Sequence, residues 1–125
     1  MKDLYHDLKP EYSIYPAALG AGAKTGDAYV DLAGFNGALV LCGSGALTVD
    51  MPFQLMESDD HSTWNAVADD DLIGTEPTLL QATDNELKSF GYRGIKRYLR
   101  VDTLSGTGIA WAAIVKGAPR HAPAV

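Results

Sequence analysis

The side chains able to do chemistry fall in a few short stretches. The first, Gly20-Ala21-Gly22-Ala23-Lys24-Thr25, has the look of a phosphate-binding loop. That motif needs a glycine immediately before the lysine and another five residues earlier, where this chain has Ala23 and Ala18. It also needs a preceding strand and a following helix, and the sequence supports neither, so a flexible loop over 17–26 is the better reading. The second stretch, Glu57-Ser58-Asp59-Asp60-His61-Ser62-Thr63, gathers oxygens that a calcium ion would accept. A calcium loop, however, spaces its oxygens around a glycine, and none is present here. Asp and Ser are also what a hairpin turn selects, because their short side chains hydrogen-bond nearby backbone. Turn formation is therefore expected of 57–63, and a solvated acidic loop of Asp69-Asp70-Asp71.

His6, His61 and His121 lie in arms or turns without zinc-motif spacing, and no Gly-x-Ser-x-Gly nucleophile elbow occurs. The single cysteine, Cys42, excludes an internal disulfide and a multi-cysteine zinc site. It closes the apolar run Ala38-Leu39-Val40-Leu41-Cys42, with no His or Arg beside it to hold a thiolate, and reads as a small buried hydrophobe. The expectation is a protein that is not an enzyme and that has no catalytic residues, cofactor or metal. One cationic stretch is left: Arg93, Lys96, Arg97 and Arg100, interleaved with Tyr92 and Tyr98. It fits a nucleic-acid platform or a strand that meets an acidic partner protein.

That stretch belongs to the element around which the chain is organised. Residues 89–101 read as a strand end, a tight Arg93-Gly94 turn and a strong strand running into Asp102. Period-two alternation puts Ile95, Leu99 and Val101 on a core face and Lys96, Tyr98 and Arg100 on the other. Ahead of it, residues 1–16 form an arm with Tyr5, Tyr12 and Tyr15, in which Pro10 and Pro16 interrupt any helix. Ala28, Val30 and Leu32 alternate with polar neighbours, and 38–42 is a short apolar strand that could be covered on both faces. Gly43-Ser44-Gly45 reads as a turn. Leu47, Val49, Met51, Phe53 and Leu55 then give the cleanest alternation, with Pro52 marking an edge or a bulge. Trp64 to Val67 is the return strand of a hairpin, 69–84 a longer excursion, and 84–90 one helical turn or a strand. A turn at 105–108 leads to a last strand, Ile109 to Val115. About seven short strands between turn signals predict an all-β fold, a single antiparallel β-sandwich or jelly-roll-like domain with extended terminal arms. The expected divisions are 1–26 as arm and flexible loop, 27–116 as sandwich and 117–125 as tail.

At 125 residues, 46% hydrophobic and 21% charged, the chain is long enough for one real core. Its net charge of −6 opposes a nucleic-acid partner, since phosphate neutralisation needs a cationic surface. Residues 50–86 hold acids and no Lys or Arg, whereas from Lys88 onward Asp102 is the single acid among basic residues. The fold either separates these segments into an acidic and a basic side, or interleaves them as neighbouring strands. The N-terminus lacks the apolar core of a signal peptide, and no apolar run approaches the ~20 residues of a membrane span. Synthesis in the cytoplasm, and use there or in an assembly formed there, is expected.

The order and spacing of several segments resemble small structural proteins of tailed bacteriophages, including those of prophages and gene transfer agents, of the capsid decoration or head-spike type. The segments are Met1-Lys2-Asp3-Leu4-Tyr5-His6, Val30-Asp31-Leu32-Ala33-Gly34-Phe35, the hairpin from Leu55-Met56-Glu57-Ser58-Asp59-Asp60 to Trp64, Gly91 to Val101, and Gly117-Ala118-Pro119-Arg120-His121-Ala122-Pro123. The resemblance implies a non-enzymatic β-rich virion protein, on the capsid surface or at a vertex. It would bind the major capsid protein and other virion proteins as a homo-oligomer, trimer or pentamer, without nucleic acid or membrane. Expected contacts are Tyr5, Tyr12 and Tyr15 in the arm, Arg93, Lys96, Tyr98 and Arg100 in the basic strand, and Arg120 and His121 in the tail. Deleting residues 1–16 is then expected to abolish attachment and leave the fold intact. The competing class is a carbohydrate- or ligand-binding β-sandwich with Trp64, Tyr92 or Tyr98 as stacking platforms.

Overall fold

Alternation with period two runs through most of the chain, and its described residues fold into ten strands in two antiparallel sheets. Residues 4–119 are those described by the computed structural model. Sheet I has the order β1 (Lys9–Leu19), β10 (Thr107–Pro119), β3 (Phe35–Val49), β8 (Leu87–Tyr92) and β6 (Leu72–Ile73). Sheet II has the order β2 (Val30–Asp31), β9 (Tyr98–Thr103), β4 (Met51–Ser58) and β5 (Asn65–Ala66), with β7 (Thr78–Leu79) also on β4. Among the described residues, helix is limited to α1 (Leu4–Asp7) and a 3₁₀ turn at Asp69–Asp71. The two sheets form the expected sandwich. Val40, Cys42, Phe90, Ala112 and Ile114 of sheet I share one buried cluster with Met51, Phe53, Leu55, Leu99 and Val101 of sheet II. Each large aliphatic side chain buried there contributes about 1.5–3 kcal/mol.

The chain changes sheets at Asp50. The alternation from Leu47 to Leu55 is therefore not one strand: β3 ends at Val49, half exposed at 49%, and β4 begins at the fully buried Met51. Gly43-Ser44-Gly45 is not a turn either but lies inside β3. A Cβ at Gly43 would sit 2.3 Å from the Trp111 indole, so this glycine lets the ring lie across the sheet. Pro52 is not on an edge, because β9 flanks β4 on one side and β7 on the other. Its missing N–H is tolerated at the second residue of the strand, before the β4–β9 ladder starts at Phe53↔Thr103, and its carbonyl accepts from the Leu104 amide at 3.0 Å.

The segment 1–26, expected as arm and loop, is mostly built into the sandwich. β1 pairs with β10 from Lys9↔Lys116 to Leu19↔Gly108, with irregularities between Tyr12 and Ile14 and between Ile14 and Ala17. Ser13 and Ile14 are both fully buried. The Ser13 hydroxyl donates to the Ala28 carbonyl and accepts from the Val101 amide, each at 2.8 Å, which ties sheet I to sheet II. The following loop is held as well: Lys24 bridges to Thr103, and the Gly26 amide donates to Asp102 Oδ1 at 2.8 Å. Deleting 1–16 would thus remove core, contrary to the expectation of an intact fold. At the other end β10 continues beyond Val115 to Pro119, pairing with β3 as far as Phe35.

The strand expected from Ile95 begins only at Tyr98, and Ile95 is 96% exposed instead of core-facing. The Arg93–Arg97 loop wraps the Tyr92 side chain, whose hydroxyl accepts from the Lys96 amide at 3.1 Å. A Cβ at Gly94 would lie 2.4 Å from that hydroxyl. The acidic and basic segments interleave, since β4 and β9 are direct neighbours.

Candidate functional site

The outer face of sheet II carries the densest cluster of polar and aromatic side chains. Leu99, Val101 and Thr103 of β9 point inward, so Tyr98, Arg100 and Asp102 point outward, opposite Ser58, Met56 and Gln54 of β4. β2 brings Asp31 beside Tyr98, and the residue preceding β2, Tyr29, reaches the same face. The hairpin after β4 supplies His61 and Trp64. These aromatics converge: Tyr29 stacks on His61 with centroids 4.9 Å apart and 5° between the planes, and both meet Tyr98 edge-on at 5.4 and 5.0 Å. Tyr29 lies 6.2 Å from Trp64, which Arg100 covers at 4.6 Å, while Arg97 lies 5.1 Å from the Tyr98 ring.

Charges on this face are paired within the chain. Arg97 forks onto Asp31 at 2.9 and 2.8 Å, and its hydrogen bonds hold the Asp31 carboxyl below the usual carboxylate range. Arg100 forks onto Asp102 at 2.8 and 2.9 Å, the two side chains being 17% and 15% exposed. Lys96 meets Asp59 at 2.7 Å, and Arg93 Nε donates to the Asp70 carbonyl at 2.9 Å. The 57–63 segment is a turn organised by Asp60. Its Oδ1 accepts from the Ser62 and Thr63 amides and the Ser58 hydroxyl, each at 2.9 Å, which pushes its pKa down to about 2. His61 takes a left-handed conformation there, φ 49°. Among the described residues no group of three or more His, Cys, Asp or Glu side chains is placed to hold a metal.

The expected contact residues separate. Tyr98 and Arg100 belong to this cluster, and Lys96 and Arg93 line the loop beside it. There, with Arg97, Leu32 and Phe35, they bound an open cleft of about 520 Å³ between the β2–β3 and β8–β9 connections. Tyr12 and Tyr15 sit on sheet I, half exposed at 48% and 52%, with Tyr12 edge-on to Tyr15 and to Trp111. Tyr5 is exposed on α1. Arg120 and His121 lie outside the described residues. Of the three stacking candidates, Trp64 and Tyr98 are on the face, but Tyr92 is buried. Its hydroxyl donates to Glu57 at 2.8 Å, and burial together with that bond raises its pKa. Cys42 is fully buried, and burial pushes its thiol up to about 12. Tyr29 and His61 have no local signal in the sequence; only the strand order brings them to Tyr98.

The outer face of sheet I is of a different kind. One cross-strand row runs Ile73, Gly91, Leu39, Val115 and Pro10. The next runs Ser89, Leu41, Ala113 and Tyr12, and a third Leu87, Gly43 and Trp111. No position in these rows is charged. Leu39, Ile73 and Leu87 are 42%, 58% and 64% exposed.

Taken together, the molecule is a two-sheet antiparallel β-sandwich with one aromatic–cationic outer face and one apolar outer face. No protein-family model matches the chain, and no curated protein matches it in sequence. Among solved structures, the crystal structure of the SPBc2 prophage-derived protein YomS is similar to it, with a TM-score of 0.57 and 17% identity. The similarity covers 88% of this chain and 92% of that one. At that identity the likeness is one of fold. Among the described residues, no helix is long and apolar enough to cross a membrane.

Proposed function

We propose that this chain is a non-enzymatic virion structural protein of a phage or prophage, a capsid decoration or head-spike subunit that attaches through surface contacts to capsid protein and to copies of itself. The observation that carries the proposal is the end-to-end likeness to a prophage-derived protein, over 92% of that chain. The surfaces support it. Lys96, Arg97 and Arg100 each already face a carboxylate, which favours a protein partner over a nucleic-acid backbone. Tyr5 is exposed and available for a capsid contact, the role also assigned to Arg120 and His121. The test is the amount of this chain in purified, nuclease-treated particles, measured by quantitative mass spectrometry against the major capsid protein. Near-equimolar copies identify a decoration protein, and a few tens identify a vertex spike. Absence from particles overturns the proposal.

One observation favours a second function, binding of a glycan or other ring-bearing ligand: the convergence of Tyr29, Trp64 and Tyr98 on the outer face of sheet II. A sugar bound there changes the fluorescence of Trp64, and a Trp64→Ala variant does not bind it. A titration that leaves the fluorescence flat across a glycan panel removes this second function.

A further inference from the structure

We infer that the outer face of sheet I is a two-fold interface between copies of this chain. This deepens the proposed function by naming a surface, yet it rests on the face itself and stands or fails in solution without any particle. An antiparallel sandwich normally solvates its outer face with polar side chains. Here three successive rows, the first of them reaching from β6 to β1, hold no charged residue. The run Ala38–Cys42 has the composition of a strand covered on both sides, but the core covers only the side of Val40 and Cys42.

Three features fit a second copy as the cover. First, the face is low where Gly43 and Gly91 lie, with Tyr12 standing edge-on to Trp111 at its border. Trp111 lies over Gly43, where a Cβ would come within 2.3 Å, and Ile73 lies over Gly91, where it would come within 3.1 Å. Large side chains thus lie along the sheet, the relief that suits another sheet about 10 Å away. Secondly, these rows hold no charged residue, so joining two copies there adds no like-charge contact to the repulsion between two molecules of net charge −6. Thirdly, strand spacing and rise give the three rows with flanking Tyr15 and Ile109 roughly 400–500 Å² per copy. Two copies would bury about 800–1,000 Å², below the ~1,200–2,000 Å² of a standard stable interface, so the association is a weak, concentration-dependent one. Association through the β1 edge is disfavoured instead, because Pro10, Pro16 and two ladder irregularities disrupt its free side.

The experiment is sedimentation velocity and light scattering of the purified chain from 1 to 200 µM. A concentration-dependent dimer is expected. The Leu39→Glu/Leu87→Glu variant, altered at two exposed positions, is expected to weaken it about 100-fold with an unchanged near-ultraviolet spectrum. Ile73→Lys, on the two-residue strand β6, gives the same result through a separate position should the double variant fold poorly. Arg97→Gln on sheet II leaves the dimer intact. A wild-type chain that is monomeric at 200 µM, a trimer or pentamer, or a dimer that survives both sheet I variants overturns the inference. Particle incorporation without dimerisation in solution would leave the virion function standing and remove this interface alone.

Discussion

The two outer faces of this sandwich are built on ladders of the same geometry and have opposite chemistry. On sheet II, Arg97 answers Asp31, Arg100 answers Asp102 and Lys96 answers Asp59. Each aromatic ring there also has a ring or a guanidinium as neighbour. That face is complete within one chain and is at home in water. On sheet I the outward rows are uncharged and, apart from Ser89 and Pro10, aliphatic, aromatic or glycine, and their exposed members Leu39, Ile73 and Leu87 are the kind of residue that usually fills a core. The inner faces specify the sandwich, whereas the outer faces carry the difference: paired charges suited to solvent on one side, exposed apolar side chains on the other.

The comparison is broken most completely by removing the element that holds both faces in one body. β1 supplies Ile14 to the core, and its Ser13 satisfies the Val101 amide and the Ala28 carbonyl across the sheets. Losing one buried Ile side chain costs ~2–5 kcal/mol, and orphaning each buried backbone group ~1–3 kcal/mol. Against a total stability of about 5–15 kcal/mol, deletion of residues 1–16 is expected to abolish the cooperative thermal transition in far-ultraviolet circular dichroism. Deletion of residues 1–7, which removes α1 and, among the described residues, no buried side chain, should move the midpoint by no more than ~2 °C. A cooperative melt in the longer truncation would make β1 a dispensable arm after all.

Two single substitutions then separate the faces. Asp102→Ala on sheet II leaves Arg100 and the Gly26 amide without their acceptor in a site where both side chains are largely shielded, a loss of about 2 kcal/mol in urea unfolding. The dimer should persist. Gly43→Val on sheet I forces the Trp111 ring off the sheet at a smaller cost, ~1–2 kcal/mol because the ring can lift outward, but it roughens this face and should abolish dimerisation. If Asp102→Ala dissociates the dimer and Gly43→Val does not, the roles of the two faces are reversed.

How much of this was legible in the sequence follows from what is local. Alternation at Met51–Leu55 and Leu99–Val101 gave two inner strands, and the side-chain chemistry of Asp60 gave the hairpin turn between β4 and β5. The all-β class follows from those. The change of sheet at Asp50 was invisible, because alternation continues across it in the sequence while the backbone turns from one sheet to the other. Gly43 read as a turn because its partner, Trp111, is 68 residues away and only the β3–β10 register joins them. Ile95 read as core because parity extended the strand backwards over a loop that Tyr92 anchors. Trp64 and Tyr98 could be singled out as aromatics, but their meeting with Tyr29 and His61 draws on separate segments and needed the order β2-β9-β4-β5. The apolar run at 38–42 was the one local sign of an apolar outer face, which Leu39 joins at 42% exposure.

The smallest expected effect sharpens the comparison by asking whether one face loosens without the other. The Ser62 and Thr63 amides and the Ser58 hydroxyl hold Asp60 at about 2, well below the ~3.9 of an unfolded aspartate. With the folded-state pKa depressed, the stabilisation is complete above ~4 and is lost as pH falls towards ~2. Asp60 shapes the turn that holds His61 at φ 49° against Tyr29, so its protonation should loosen the sheet II cluster first. In a Trp111→Phe chain, Trp64 emission is expected to change between pH 4 and 2, and Asp60→Asn, which keeps the acceptor oxygen and removes the proton site, should erase that step. In a Trp64→Phe chain, Trp111 over Gly43 should show no step in this range. A step reported equally by both tryptophans would mean that the two faces loosen as one unit, and that they differ in composition but not in local stability.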